Sequence, residues 1–440
     1  MRGEGAPPHD TDGDVCAQVE ALAGTWRGRA ARAERERTLP RETVDELLDS
    51  GLLSLAAPTC HGGPGSGWPT LAEAARRAAR ACPSTGWTIG VVGGHAALAG
   101  RLSPEASGLL FAKGVRQVFS TASAPVDGRI TRVPGGFEVA GRWRFCSAVD
   151  HANWIVLNGW CESPGAPERV LVPLRADQVT VEDGWHVSGM SATGSKNILV
   201  DGVFVADALV TSFDTCFGER WPNVSGPGSE AEAGPGSEAG PRTGAGAGPR
   251  TGAGSTDYLG GVPYLHYMNS VVVGPLLGCA EGAFDHYAAS LSPRDGGRPR
   301  ALDDLLVQDG LTESAAELAC ARHLYSAVCA TLHSAGVGRR ALTSREGAVI
   351  SRDRAYLARL CVRAVQRLVQ LAGTAAHHDA SVVARHWRDL QMMAAHRDVS
   401  WALNFPAYAA LAIESGGATT AGSGAPGRDD AVPAVAEAHR

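Results

Sequence analysis

Apolar residues recur at helical spacing over residues 14–53, and the segment Glu42–Gly51 ends on a glycine placed to close a helix. Helical spacing returns over 70–81, 85–101 and 104–113. Pro69, Pro83 and Pro104 sit at the starts, where a missing N–H costs nothing. At Val115 the period changes. From there to about Val210, short β-branched and aromatic runs are broken by Asp127-Gly128, Pro134-Gly135-Gly136, Ser163-Pro164-Gly165 and Asp201-Gly202, a pattern that predicts antiparallel strands. Helical spacing then fills 260–292, 300–335, 342–375 and 382–412. The expected fold is mainly α with a central β-domain: a helical domain over 14–114, a β-barrel-like domain over 115–215 and a four-helix bundle over 259–413.

Two stretches break the pattern. Residues 223–255 repeat Gly-Pro-Gly-Ser-Glu-Ala and Gly-Pro-Arg-Thr-Gly-Ala-Gly with almost no apolar content, marking an insertion over 216–258, and 414–440 return to Gly, Ala and Pro. Neither buries enough apolar surface to offset the entropy of ordering, so a disordered insertion and a disordered tail are expected.

Composition narrows the function. A 44% apolar content supports large cores, and a net charge of −6 with no basic face makes nucleic acid an unexpected partner. Ten cysteines without a Cys-x-x-Cys pair or zinc-like Cys/His spacing predict reduced thiols, with no metal and no disulfide framework. The N-terminus has no apolar stretch of signal-peptide length and no run suits a membrane span, so a cytoplasmic protein is expected. No Gly-x-Gly-x-x-Gly follows a strand, which removes the usual nicotinamide signature.

Two motifs carry the candidate chemistry: Gly141-Arg-Trp-Arg-Phe-Cys-Ser147, and Arg385-His-Trp-Arg-Asp-Leu-Gln-Met-Met-Ala-Ala-His396, read as one helix ending on His396. With Gly189-Met-Ser-Ala-Thr-Gly-Ser195 and the helix–strand–helix order, they make the chain resemble the acyl-CoA dehydrogenase superfamily from about residue 14 to 412. Within it, Arg388-Asp389 followed by His396 is similar to the two-component flavin monooxygenases. The dehydrogenases carry a carboxylate base where this chain has Ala394-Ala395-His396-Arg397, and none stands near Tyr264–Ser270 either.

That resemblance implies an oxygenase component that takes reduced FMN or FAD from a separate flavin reductase. With O2 as co-substrate it forms a C4a-hydroperoxyflavin and hydroxylates a small organic molecule, an aromatic or phenolic one before an amine or sulfur. Ser147, His95 and His396 are the implied catalytic residues, and Ser120, Ser123, Phe145 and Ser147 the implied flavin contacts. Where the family usually has Ser-Gly, this chain has Ser147-Ala148. A homotetramer is implied as well, and the Ala/Arg/Gly-rich composition suits secondary metabolism. An acyl-CoA dehydrogenase-type oxidoreductase, an N-hydroxylase of an amine and a non-catalytic scaffold stand as alternatives. Bland readings accompany each residue: a strand serine bonds backbone, His95 packs between helices, His396 lies at a solvent edge, and His151 caps or covers a surface.

Overall fold

The computed structural model describes residues 11–162, 167–218, 257–292 and 300–418. Most of the expected insertion and tail lies outside these residues.

The chain opens with helices α1 (Thr11–Glu36) and α2 (Arg41–Asp49), and Gly51 at φ 72° ends the latter as its sequence predicts. Then come α3 (Trp68–Ala81), α4 (Pro83–Trp87), a π-helical turn over Thr88–Val92, α5 (Gly93–Gly100) and α6 (Pro104–Leu110). The wide π turn separates Trp87 from His95 and shifts the register between them, a feature often found at functional sites.

The sheet contains β1 (Phe119–Ala122), β2 (Ala124–Pro125), β3 (Arg129–Val133), β4 (Gly136–Cys146), β5 (Trp154–Glu162), β6 (Glu168–Arg175), β7 (Thr180–Glu182), β8 (Lys196–Ala206) and β9 (Thr211–Ser212). Its order is β7-β8-β4-β3-β5-β6-β9, with β1 on β5 and β2 on β4. One expectation fails here. Turn residues pointed to antiparallel strands throughout, yet β1 and β3 both run parallel to β5, pairing Phe119 with Trp154 and Ile130 with Cys161. The intervening chain supplies the long crossover that a parallel pair requires, and local turn signals do not encode it. Alternation on β5 and β6 serves two cores. Ile155, Leu157, Val170, Val172 and Leu174 fill the sheet interior, while Val156 and Leu171 join the helical core with Phe119.

After a short helix, α7 (Phe213–Phe217), the bundle comprises α8 (Leu265–Ser270), α9 (Val273–Ser290), α10 (Leu305–Val337), α11 (Ser344–Ala372), α12 (Val382–Ala394), α13 (Trp401–Asn404) and α14 (Pro406–Ala418). Glycines let α9 lie against α3. A Cβ on Gly274, Gly278 or Gly282 would fall 2.4, 1.9 or 2.5 Å from the carbonyl oxygens of Ala72, Arg76 and Arg80. The single helix expected over 382–412 is broken: α12 stops at Ala394, and His396 (ψ 138°) and Ser400 (ψ 121°) are extended. No glycine or proline marks that break, so it is a tertiary effect. The last helix also continues to Ala418, past the boundary expected at 413.

Candidate active site

Ser147 follows β4 in a turn built from strained backbone. Phe145 and Ala148 take φ values of 67° and 58°, conformations that cost a residue with a Cβ about 1–2 kcal/mol. The turn leaves the Phe145 ring 54% exposed, meeting Trp185 edge-on at 6.1 Å and carrying the Arg144 guanidinium 5.6 Å from its centroid. The Ser147 hydroxyl is half-buried, 2.8 Å from the Ser195 hydroxyl, which lies 2.8 Å from that of Thr193. Thr193 in turn donates to the Met190 carbonyl at 2.8 Å, and the indole N–H of Trp87 approaches Ser147 Oγ at 3.4 Å.

Strand β1 ties this turn to His95. The Ser120 hydroxyl donates to the Ser147 carbonyl at 2.8 Å, so Ser120 holds the turn in place. His95, on α5, lies 2.8 Å by Nδ1 from the Phe119 carbonyl and 3.1 Å by Nε2 from Thr121 Oγ1. A carbonyl only accepts, so Nδ1 carries the proton and Nε2 accepts from Thr121. Burial pushes the His95 imidazole down to about 4, although the Phe119 hydrogen bond acts the other way. Consecutive strand side chains point to opposite faces, which is how neighbours Ser120 and Thr121 reach Ser147 and His95 respectively. Ser123 lies exposed in the break between β1 and β2.

His396 sits beyond the end of α12, in the turn rather than on the helix as its sequence predicted, with its side chain 38% exposed. Its Nδ1 accepts the Asp398 backbone N–H at 3.3 Å and lies 3.5 Å from that residue's carboxylate. In the neutral ring the proton is therefore on Nε2. Burial against its surroundings lowers its basicity, and Asp398 opposes that shift. Trp87 is the joint between the two motifs, since its ring meets His396 edge-on at 5.6 Å while its N–H reaches Ser147.

The Arg388-Asp389 step acts as a strut. Buried Asp389 accepts the Met190 N–H, and Arg388 and Arg385 clasp Glu34 of α1. A Cβ on Gly189 would lie 2.1 Å from the Arg388 carbonyl oxygen, so only glycine lets this loop lie against α12. Burial raises the Asp389 carboxyl to about 7. Sequence reasoning missed Trp87, Thr121 and Asp398, and it gave Asp389 no contact with the 189–195 loop. His151 takes its bland reading, bonded to Thr38 and the Leu39 carbonyl.

A helical domain, a sheet and a helical bundle meet around these hydroxyls and imidazoles, a three-part architecture. The acyl-CoA dehydrogenase N-terminal domain matches residues 18–102 and the acyl-CoA dehydrogenase C-terminal domain matches 270–401, and the chain belongs to that superfamily. Curated relatives include a pigment production hydroxylase from a Rhodococcus species, 26% identical over 87% of this chain and 92% of its own. Another is the FADH2-dependent resorcinol hydroxylase, oxygenase component, from a Rhizobium species, 26% identical over 88% of this chain and 91% of its own. Among solved structures, XiaF from a Streptomyces species in complex with FADH2 and glycerol superimposes with a TM-score of 0.78. It is 22% identical, with 92% of this chain and 96% of that one covered, a likeness of fold.

The residues present fit a flavin. Phe145 offers an exposed aromatic ring that meets Trp185 edge-on, and the Ser147 hydroxyl, two residues on, keeps acceptor capacity unspent.

Proposed function

We propose that this chain is the oxygenase component of a two-component flavin-dependent monooxygenase. It takes reduced FMN or FAD from a separate reductase and places one oxygen atom of O2 on a small phenolic or aromatic substrate. The reading rests on one observation above the others: Ser147, poised by buried hydroxyls, and His396 meet through a single aromatic residue, Trp87. Bound reduced flavin supplies the two electrons that activate O2. Phe145 and Ser147 hold it, and Ser120 fixes the Ser147 turn from behind.

The protein's own contribution is orientation and the exclusion of water. His396, with its proton on Nε2, donates a hydrogen bond to a substrate oxygen, which stabilises a phenolate rather than creating one. His95 is neutral through the physiological range, with its Nδ1 proton on the Phe119 carbonyl and its Nε2 accepting from the Thr121 hydroxyl, so it acts by fixing β1 and orienting Thr121. The carboxylate that approaches His396, Asp398, lies 3.5 Å from Nδ1 and pairs with the ring only when the ring is protonated. The work is set in the cytoplasm, within secondary metabolism; no described helix is long and apolar enough to cross a membrane. Leu305, Leu306, Leu403 and Ile413 expose apolar side chains on the bundle helices and support assembly as a homotetramer, checked by light scattering.

Stopped-flow absorbance tests the central claim. Anaerobic protein loaded with reduced FMN, then FAD, is mixed with oxygenated buffer. A species distinct from reduced and oxidised flavin, persisting for seconds and followed by phenol hydroxylation, is the expected result. Reoxidation at the rate of free flavin, or bleaching of bound oxidised flavin by an acyl-CoA, would defeat it.

A further inference from the structure

The hydroxyl chain behind Ser147 has a direction. The Met190 carbonyl can only accept, so the single hydroxyl proton of Thr193 goes there. Thr193 Oγ1 is then the acceptor in its 2.8 Å contact with Ser195, which spends the Ser195 proton. Ser195 Oγ therefore accepts at its other 2.8 Å contact, and Ser147 is the donor. The Trp87 indole, which can only donate, fills one Ser147 lone pair. What remains on the open side of Ser147 is an acceptor site with no proton to offer.

The end of the chain is fixed. Met190 has its N–H held by Asp389, and its carbonyl also receives the Trp185 indole at 3.3 Å. Thr193 and Ser195 are 3% and 5% exposed, so water does not compete for their hydroxyls.

We propose that Ser195, with Thr193 behind it, is a positioning residue that turns the Ser147 proton inward, so that Ser147 meets the flavin as a hydrogen-bond acceptor. The proposal rests on the flavin-binding reading above. Reduced flavin carries a hydrogen on N5, whereas oxidised flavin presents a bare lone pair there. With Ser147 set against N5, a placement that is part of this proposal, an acceptor there matches the reduced form and faces the oxidised form lone pair to lone pair. The hydroxyl chain is thus a device for discriminating redox state.

The test is binding rather than turnover. Affinities for oxidised and reduced FMN and FAD are measured by fluorescence quenching, the latter under argon, alongside the midpoint potential of the bound flavin. Wild type is expected to favour the reduced form by about tenfold or more, the size of one charge-free hydrogen bond gained against one lost. Ser195→Ala frees the Ser147 proton to face the flavin, and Thr193→Val lets Ser195 donate to Ser147 with the same consequence. Both narrow the ratio by about fivefold or more and lower the potential, while Ser195→Thr keeps the hydroxyl and the wild-type ratio.

An unchanged ratio in both deletions, with flavin bound and melting temperatures near wild type, overturns the proposal. So does a ratio that falls as far in Ser195→Thr as in Ser195→Ala, because shape would then be the cause. Thr193→Val carries the test by itself if Ser195→Ala does not fold. A wild-type protein that binds neither flavin form overturns the functional reading, and this inference with it.

Discussion

The two histidine-bearing walls of the site are built in opposite ways. On the α5–β1 wall, His95 is buried with both nitrogens engaged and its basicity suppressed to about 4. On the wall after α12, His396 is half-exposed, with one nitrogen engaged by backbone and the other available. The same side chain serves in one place as a fixed part of the scaffold and in the other as a group that can meet a ligand. The difference comes from secondary structure. A helix interior seals His95 against a strand, whereas an extended break in the chain turns His396 outward.

Breaking the sealed wall carries the largest expected effect. His95→Ala removes a packed ring and strands the Phe119 carbonyl and the Thr121 hydroxyl, a combined cost of roughly 3 kcal/mol read by denaturant unfolding. Its pH signature follows from the depressed pKa. An unfolded histidine titrates near 6.5, so the neutral ring contributes stability above that pH and loses it as pH falls towards 4. The variant's stability is expected to be flatter than wild type across that window. Equal slopes would show that His95 is not held neutral.

Breaking the open wall should do the reverse. His396→Ala is expected to lower substrate hydroxylation about 10- to 100-fold, the range of a lost orienting hydrogen bond, while its melting temperature moves by less than about 2 °C. A large fall in stability with unimpaired hydroxylation would mean that the assignment of the two walls is inverted.

The sequence carried this contrast unevenly. Ser147, His95 and His396 were singled out because a family resemblance reaches them residue by residue, and the structure sets Ser147 and His396 on either side of Trp87 and His95 against β1; the helical regions were legible from their period. Trp87 was not, because a tryptophan among Ser84-Thr85-Gly86 on an apolar helix looks like core, and what gives it a role is the π turn behind it. Ser120 and Thr121 are neighbours in a Ser/Thr-rich strand. Which of them faces which wall depends on the parallel pairing of β1 with β5, a long-range event that local patterns do not contain. The Arg388-Asp389 step was visible as a motif, but its contact with Met190 exists only once α12 and the 189–195 loop are brought together.

That contact gives the next sharpening. Asp389 titrates near 7 when folded and near 4 when unfolded, so the folded state binds the extra proton between those values and stability falls as pH rises through them. Asp389→Asn keeps an oxygen for the Met190 N–H but cannot ionise. The stability difference, variant minus wild type, is expected to grow by about 3 kcal/mol from pH 4 to pH 7. A difference that stays constant would show that the carboxyl ionises freely in the folded protein, and that the strut tolerates charge.

The smallest effect concerns the residue where this chain departs from the family pattern. Ala148 occupies the left-handed region at φ 58°, ψ 24°, and its N–H donates to the Thr193 carbonyl at 2.8 Å. Glycine enters that conformation without strain, whereas alanine keeps it only because the turn is held on both sides, by that bond and by Ser120 on the Ser147 carbonyl. Ala148→Gly should therefore relieve about 1 kcal/mol of strain while adding a similar entropy to the unfolded chain, so global stability moves by less than about 0.5 kcal/mol. The local consequence differs from the global one. With its strain removed and its Cβ gone, the turn is free to sample positions of Ser147 that alanine forbids, and flavin affinity is the sensitive readout. A weaker affinity for reduced flavin at unchanged stability would mean that alanine tightens the Ser147 wall. An affinity that rises instead would mean that the methyl group intrudes on the flavin, and that the strained turn is a cost this chain bears for some other contact.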